Sequence, residues 1–571
     1  MALQPMVTGR RFMVSAGHWL ATEAGHAVLL AGGNAVDAAV AAGLALGVVH
    51  PDQVQVSGVA PMVIHLRETD EVVTISGLGW WPRAARVEHF EREHGGAIPL
   101  GILRTVVPAA PDAWILALSR YGTMRFGEVA QFAIRYAGEG FTVHPVMAHF
   151  IERYAGQYRM WPQNAAVFLP RGGAPPEEGD LFVQADLARS LRFMAEEEAA
   201  ALGRGGDRQA GLRAARDAFY RGDLAAEMAR FHRENGGWLT REDLAEYRSE
   251  VEPPLRRDVH GTEVYSCGPW CQGPVLLQFL SVLEGVDLAA LGHNSAAYVH
   301  LLAEAMKLGF ADRDRTYGDP RFVRVPMERL LSAEYAEAQR ARIDPDRAAP
   351  GMPAPGLGEV GPPPVGAPWR PADPALAGDT SYVCVVDLWG NAVSATPSDT
   401  SYESPMVPGL GFVPSSRGSQ SWGRRDHPAC VAPSKRPRLT PNPALAIRRG
   451  EFVMPFGGPG GDLQPQAMLQ VFLNRTVFGL SVQEAVEAPR FVTHSFPGSF
   501  EPHPYHPGRL DVEEPLAEAV GGALAAKGHR VEARPHLSIH TAGVMAIERR
   551  EADGLLLGGA DPRRAARAMG W

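Results

Sequence analysis

Apolar residues recur at helical spacing through residues 19–50, and Gly32-Gly33 divides that run into two helices. Asn34 stands where the second helix needs a cap, and Asp37, three positions on, complements the helix dipole. The Ala-rich run 35–42 suits a closely packed core helix. Helical spacing returns around 109–121, 126–139, 182–201, 208–232, 241–247, 294–311 and 327–341. Between these helices, Met62-Val63-Ile64 and Val72-Val73-Thr74-Ile75 have the β-branched content of strands.

The pattern breaks at residues 344–379, where Pro and Gly crowd together, as in Gly361-Pro362-Pro363-Pro364. Such a stretch predicts an exposed linker without regular structure. A β-rich region follows. Thr380 to Asp387 reads as a strand, Leu388-Trp389-Gly390-Asn391 as a turn, and Ala392 to Thr396 as the returning strand. Phe452-Val453-Met454 and Val544-Met545-Ala546-Ile547 add strands, and 467–476 and 481–487 read as helices. Strands flanked by helices predict a layered α/β/α arrangement.

Composition narrows the function classes. Of 571 residues, 45% are hydrophobic and 21% charged, with a net charge of −9, an ordinary globular balance. No Lys/Arg-dense run stands out, which argues against a nucleic-acid partner. The longest apolar stretch, 38–49, is too short to span a bilayer, so no membrane partner and a cytoplasmic location are expected. Cys267, Cys271, Cys384 and Cys430 form no zinc pattern or dense disulfide framework, and Cys267 and Cys271 read as two reduced thiols, not a redox pair. His144 with His149, and His503 with His506, have spacings that suit a loop better than a ligand set, so neither metal nor cofactor is expected.

Candidate chemistry gathers at Gly378-Asp379-Thr380. A threonine hydroxyl is a weak nucleophile until a base removes its proton. Were Thr380 released as a new N-terminus, its own α-amine, with an ordinary pKa near 8, would be that base. Ser398 and Thr400, past the hairpin, bring hydroxyls back towards it. The glycine-dense loop Phe456-Gly457-Gly458-Pro459-Gly460-Gly461-Asp462 offers backbone N–H groups that could approach a developing oxyanion closely. It lacks the Lys-Ser/Thr of a phosphate-binding loop. Pro433-Ser434-Lys435-Arg436-Pro437, followed by Leu439-Thr440, forms a basic stretch beyond.

In order along the chain, these landmarks resemble the gamma-glutamyltranspeptidase family. They are the run from Gly32-Gly33-Asn34 to Ala38, Tyr121-Gly122-Thr123-Met124, Asp312-Arg313 with Gly318-Asp319-Pro320, and the Thr380 hairpin. Lys435-Arg436-Pro437, Pro459-Gly460-Gly461 and Ala488-Pro489-Arg490-Phe491 complete the series. The resemblance implies an α+β fold, the four-layer αββα sandwich of N-terminal-nucleophile hydrolases. It also implies cleavage between Asp379 and Thr380 into a large subunit, 1–379, and a small one, 380–571. These would pair as a heterodimer, and two heterodimers could associate. Position by position it makes Thr380 the nucleophile, Ser398 its assisting hydroxyl, and Gly460 and Gly461 the oxyanion hole.

The substrate positions depart from the family. Its carboxylate-binding arginine precedes an Ala-Pro-like step; here the stretch is Ser76-Gly77-Leu78-Gly79-Trp80-Trp81-Pro82, and Arg83 follows the proline. The family's serine pair corresponds to Leu439-Thr440 and its asparagine to Thr400. Its acidic residue falls near Ser419-Gln420, where the loop offers Arg417 instead. Asp462 completes the candidate substrate set. The expected activity is therefore hydrolysis of, or acyl transfer from, a small-molecule amide through an acyl-enzyme on Thr380. One alternative is a small carboxylate-bearing amide, as in the oxamate amidohydrolase and cephalosporin acylase relatives, held by Arg417 or Arg83. The other is a non-catalytic binding protein on the same scaffold.

Overall fold

A computed structural model describes residues 2–357 and 380–571. Two seven-stranded antiparallel sheets lie at its centre. The first runs Arg567–Gly570, Met13–Ala16, Val383–Val386, Ala392–Ala395, Met62–Leu66, Glu71–Ile75, Val251–Glu252. The second runs Val7–Gly9, Leu556–Ala560, Met545–Arg550, Phe452–Gly457, Ala444–Arg448, Thr262–Ser266, Leu255–Val259.

Side-chain alternation explains how these sheets stack. Val383 and Val385 pack with the helices Trp19–Leu30, Ala35–Val49, Ala110–Tyr121 and Phe126–Glu139 in one core. Cys384 and Val386 face the other way, meeting Leu445, Ile447, Val453 and Ile547 of the second sheet. The outer face of that sheet, with Ala444, Ala446, Met454 and Phe456, is covered by Gly273–Leu283, Ala296–Thr316 and Gln464–Thr476. The result is four layers, αββα. A strand buried on both sides has no polar face to show, which is why Val383-Cys384-Val385-Val386 is apolar throughout. Burying each such valine contributes about 1.5–3 kcal/mol.

The two expected opening helices form as Trp19–Leu30 and Ala35–Val49. Asn34 Oδ1 accepts from the amides of Val36 and Asp37, while Asp37 accepts from the Asn34 amide, closing a capping box. Other expectations need correction. The 208–232 run is two helices, Arg208–Tyr220 and Asp223–Glu234, because the Arg221 and Gly222 amides both turn back to the Asp217 carbonyl. The 327–341 run likewise splits, with Ser332 capping Ala333–Arg340. Residues 181–182 belong to a short strand, so the helix begins at Ala185. Gly273–Leu283 is a helix that periodicity passes over, since all its residues are buried and none marks a polar face.

Within the Pro/Gly-rich stretch, 344–357 is not a loose linker. The Ala348 amide donates to Lys527 O, Lys527 Nζ to Pro345 O, Lys307 Nζ to Ala349 O, and the Gly356 amide to Asp312. Asp379 and the rest of that stretch lie outside the described residues. Among the described residues, no helix is long and apolar enough to cross a membrane. All four cysteines are free.

Candidate active site

The strand expected to start at Thr380 begins at Val383. Thr380 is held differently: its nitrogen donates to Gln53 O at 3.1 Å, while Ser381 N donates to Pro397 O at 3.0 Å. Its φ of 106° is one that a β-branched residue seldom adopts. Asp399, with φ of 144°, donates its own amide to the same Gln53 carbonyl. One turn, His50 to Gln53, therefore pins both approaches to the site.

Ser398 also lies beyond the end of its strand, which finishes at Ala395. It exchanges backbone hydrogen bonds with Val59, at 3.0 and 3.1 Å. Gly58 makes this possible, because a Cβ there would sit 2.2 Å from Ser398 O. The outcome is a 2.7 Å contact between Thr380 Oγ1 and Ser398 Oγ. Arg417 Nη2 donates to the same Ser398 Oγ at 2.6 Å. All three side chains are buried.

Asp399 stands behind this row. Its carboxylate accepts from Ser415 Oγ at 2.6 Å, Ser416 Oγ at 2.7 Å and two amides, with Arg417 Nε 3.7 Å away. Burial raises the Asp399 pKa and the Arg417 charge opposes that rise. Thr400 Oγ1 lies 3.3 Å from Ser416 Oγ on the same loop. Asp399 stands between Ser398 and Thr400 and is not among the candidate residues named from the sequence. Gln53 escaped notice because it acts through its carbonyl, which no residue type advertises.

The glycine loop leaves the strand Phe452–Gly457 and enters Gln464–Thr476 through one 3-10 turn, Gly461–Leu463. Gly460 and Gly461 have φ of 132° and 57°. A Cβ on Gly458 would fall 1.8 Å from Gly543 O, and one on Gly457 would strike the ring of Tyr382, two residues past Thr380. Glycine is thus demanded here by close backbone approach, and the loop ends in the amides of a helix N-terminus.

The remaining candidates separate. Gln420 and Thr440 form a reciprocal pair, amide to carbonyl at 3.1 Å and side chain to hydroxyl at 2.9 Å. Gln272 donates to both Thr440 O and Gly461 O, joining that pair to the glycine loop. Asp462 is committed to Arg313 and to Ser499, whose amide and hydroxyl donate at 2.7 and 2.6 Å. Arg83 is exposed and pairs with Glu246, away from Thr380 and its partners.

His144 caps a helix, accepting from the Met147 amide, and His503 faces the carbonyls of Gly498 and Ser421. One other set of metal-type donors converges among the described residues: His300, Glu304 and His529. There the Lys307 ammonium lies 2.7 Å from Glu304 Oε1, which opposes a second cation.

Known proteins resemble this chain in sequence and fold. The family described as Gamma-glutamyltranspeptidase matches residues 21–571. The Acylase ACY 1 proenzyme of Pseudomonas sp. (strain SE83) is 34% identical, covering 97% of this chain and 92% of its own. The Glutathione hydrolase proenzyme of Escherichia coli (strain K12) is 30% identical, over 98% and 91%. The solved cephalosporin acylase from Bacillus halodurans superposes with a TM-score of 0.85 at 28% identity, over 100% of this chain and 98% of that one. The chain belongs to the gamma-glutamyltranspeptidase family and has its N-terminal-nucleophile hydrolase fold.

Proposed function

We propose that this chain is the precursor of a two-fragment amide hydrolase, cut between Asp379 and Thr380, with Thr380 as the nucleophile. The observation that carries the reading is the row Arg417, Ser398, Thr380. Arginine has no acceptor, so Ser398 Oγ receives its hydrogen bond from Arg417. In this reading Ser398 donates its proton to Thr380 Oγ1, the polarity that stabilises negative charge growing on the threonine oxygen.

In the cut, Thr380 Oγ1 adds to the Asp379 carbonyl carbon and the C–N bond breaks. The nitrogen takes the hydroxyl proton and becomes the α-amine. Water then hydrolyses the ester, leaving the Asp379 carboxylate. A terminal residue has no φ, so a backbone strain of about 1–3 kcal/mol is relieved at Thr380. The large fragment is 1–379 and the small one 380–571. Both sheets draw strands from both fragments, so the pair stays together as a heterodimer.

In turnover the free α-amine takes the Thr380 proton as Oγ1 attacks the substrate carbonyl. The oxyanion rests against the amides of Gly460 and Gly461, a contribution worth on the order of a hundredfold in rate per donor. The leaving amine departs with that proton, and water releases the acyl group. A γ-glutamyl donor is disfavoured. The stretch Ser76 to Pro82 has no arginine before its proline, the family's serine pair and acid correspond to Leu439-Thr440 and Ser419-Gln420, and an acylase relative shares more identity than the glutathione hydrolase.

Intact mass and N-terminal sequencing of the purified protein test this. Two fragments, the smaller starting Thr380-Ser381-Tyr382, are expected; a single chain stable for days would sink the reading.

A further inference from the structure

The landmark Asp312-Arg313 stands in the sequence without a role. Arg313 lies in the last turn of Ala296–Thr316, fully buried, with the rings of Phe310 and Phe496 against its guanidinium. Its Nη1 donates to Gln272 Oε1 at 2.9 Å and also to Asp462, and its Nη2 donates to Pro497 O at 3.2 Å. Gln272 is buried as well. It occupies the cap position of Gly273–Leu283 but makes no side-chain cap bond to that helix.

The Gln272 side chain serves the glycine loop instead. Its Nε2 donates to Gly461 O at 2.8 Å and to Thr440 O at 2.9 Å. An amide nitrogen carries two protons, and both are used here. Arginine offers donors only, so the end of Gln272 that faces Arg313 is the oxygen and the end that faces the two carbonyls is the nitrogen. A carboxylate in the same place would set acceptors against acceptors.

Gly460 and Gly461, with φ of 132° and 57°, have conformational freedom that other residues lack. Two bonds inside the loop give it shape: the Leu463 amide donates to Gly460 O at 3.0 Å, and the Gln464 amide to Gly461 O. Bonds of such short range do not fix where the loop stands relative to the Thr440 wall. Gln272, 189 positions from Gly461, fixes it by holding both sides at once. Arg313 closes the ring, because one nitrogen holds both Gln272 and Asp462, the residue after Gly461. Oxyanion donors act only when set in place before charge develops, and a shift of about 1 Å can cost a hundredfold in rate.

We propose that Gln272 and Arg313 are positioning residues for the oxyanion hole, a brace that sets the Gly460-Gly461 pair against the Thr440 wall. This rests on the hydrolase reading above, and the test keeps the two apart.

p-Nitrophenyl acetate is an activated ester that asks little of a substrate pocket, and Thr380→Ala supplies the background rate. Gln272→Met keeps the side-chain length and loses its hydrogen bonds. Its kcat is expected to fall by roughly tenfold to a hundredfold, with KM within about twofold of wild type. Gln272→Glu keeps an acceptor for Arg313 but not the two donors, and should lose at least as much. Arg313→Lys keeps a cationic donor for Gln272 and Asp462, so it should retain more of kcat than Arg313→Met. A kcat within about twofold of wild type in both Gln272 variants, a loss carried by KM, or equal losses in the two Arg313 variants would overturn the assignment.

A wild type without Thr380-dependent hydrolysis refutes the hydrolase reading, and the brace is then judged by hydrogen exchange. In the Thr380→Ala chain, adding Gln272→Met should speed exchange of the amides in 458–466 by about tenfold or more and leave those of Val383–Val386 unchanged. Equal exchange in the loop, or faster exchange in both regions, rejects the brace. The same comparison decides if Gln272→Met folds but stays uncut. Should Gln272→Met fail to fold, Gln272→Glu is read by the same two measurements.

Discussion

The corner around Thr380 and the wall around Thr440 are built on different principles. In the corner, backbone geometry does the positioning. Gly58 admits Ser398, the Gln53 carbonyl holds two amides, and Thr380 and Asp399 sit at positive φ. The principal polar groups there are matched: the hydroxyl of Ser398 meets Arg417, and the carboxylate of Asp399 is bound by two serines. In the wall, side chains do the positioning. Gln420 and Thr440 hold each other, and Gln272 bridges from Thr440 to Gly461. A nucleophile needs a fixed frame, whereas a wall positioned by side chains can be altered by substitution without moving that frame.

Breaking the corner should cost most. Thr380→Ala removes the attacking oxygen, and the expected result is a single uncut chain on a denaturing gel with activity down by a thousandfold or more, in line with losses on removing a nucleophile. Ser398→Ala deletes one hydrogen-bond donor, which is expected to slow both self-cleavage and turnover by roughly a hundredfold. Arg417→Met should fall between that value and wild type, with Arg417→Lys closer to wild type in kcat. Equal activity of Ser398→Ala and wild type in a cleavage time course would remove the proposed donor row.

Smaller changes sharpen the contrast. Gly58→Ala places a methyl against Ser398 O and should lower stability by about 1–3 kcal/mol, measured by urea unfolding, while slowing cleavage. Asp52, beside Gln53, tests the buried charge beneath the corner. Burial lifts its carboxyl to about 7, above its ordinary value, so the folded state holds the proton more tightly. Its stabilising contribution is complete below the ordinary carboxylate range and disappears as pH rises through about 7. Asp52→Asn should therefore flatten the fall in melting temperature between pH 5 and 8, by about 1 kcal/mol or more at the upper end. An unchanged pH profile would show that the Asp52 proton plays no part.

Much of the candidate site was legible because its parts are local. The Asn34–Asp37 capping box, the Thr380 hairpin and the glycine loop each announce themselves within a few residues. The illegible parts come from far along the chain. Gln53 is 327 positions from Thr380 and contributes a carbonyl, which carries no side-chain mark. Gly273–Leu283 hid because burial on every side erases helical period. The start of the Thr380 strand was misjudged by three residues, since β-branched content cannot reveal that the Thr380 amide goes to Gln53 instead of a ladder partner.

By itself, the sequence determined the order of helices and strands, the family and the residues able to do chemistry, because those follow from period, turn geometry and short motifs. Tertiary structure alone decided which hydroxyl meets which, and that Arg83 pairs with Glu246 at the surface while Arg417 is buried against Ser398. Pairing energy depends on distance and burial, and neither is set until both sheets and both helix layers have closed around the site.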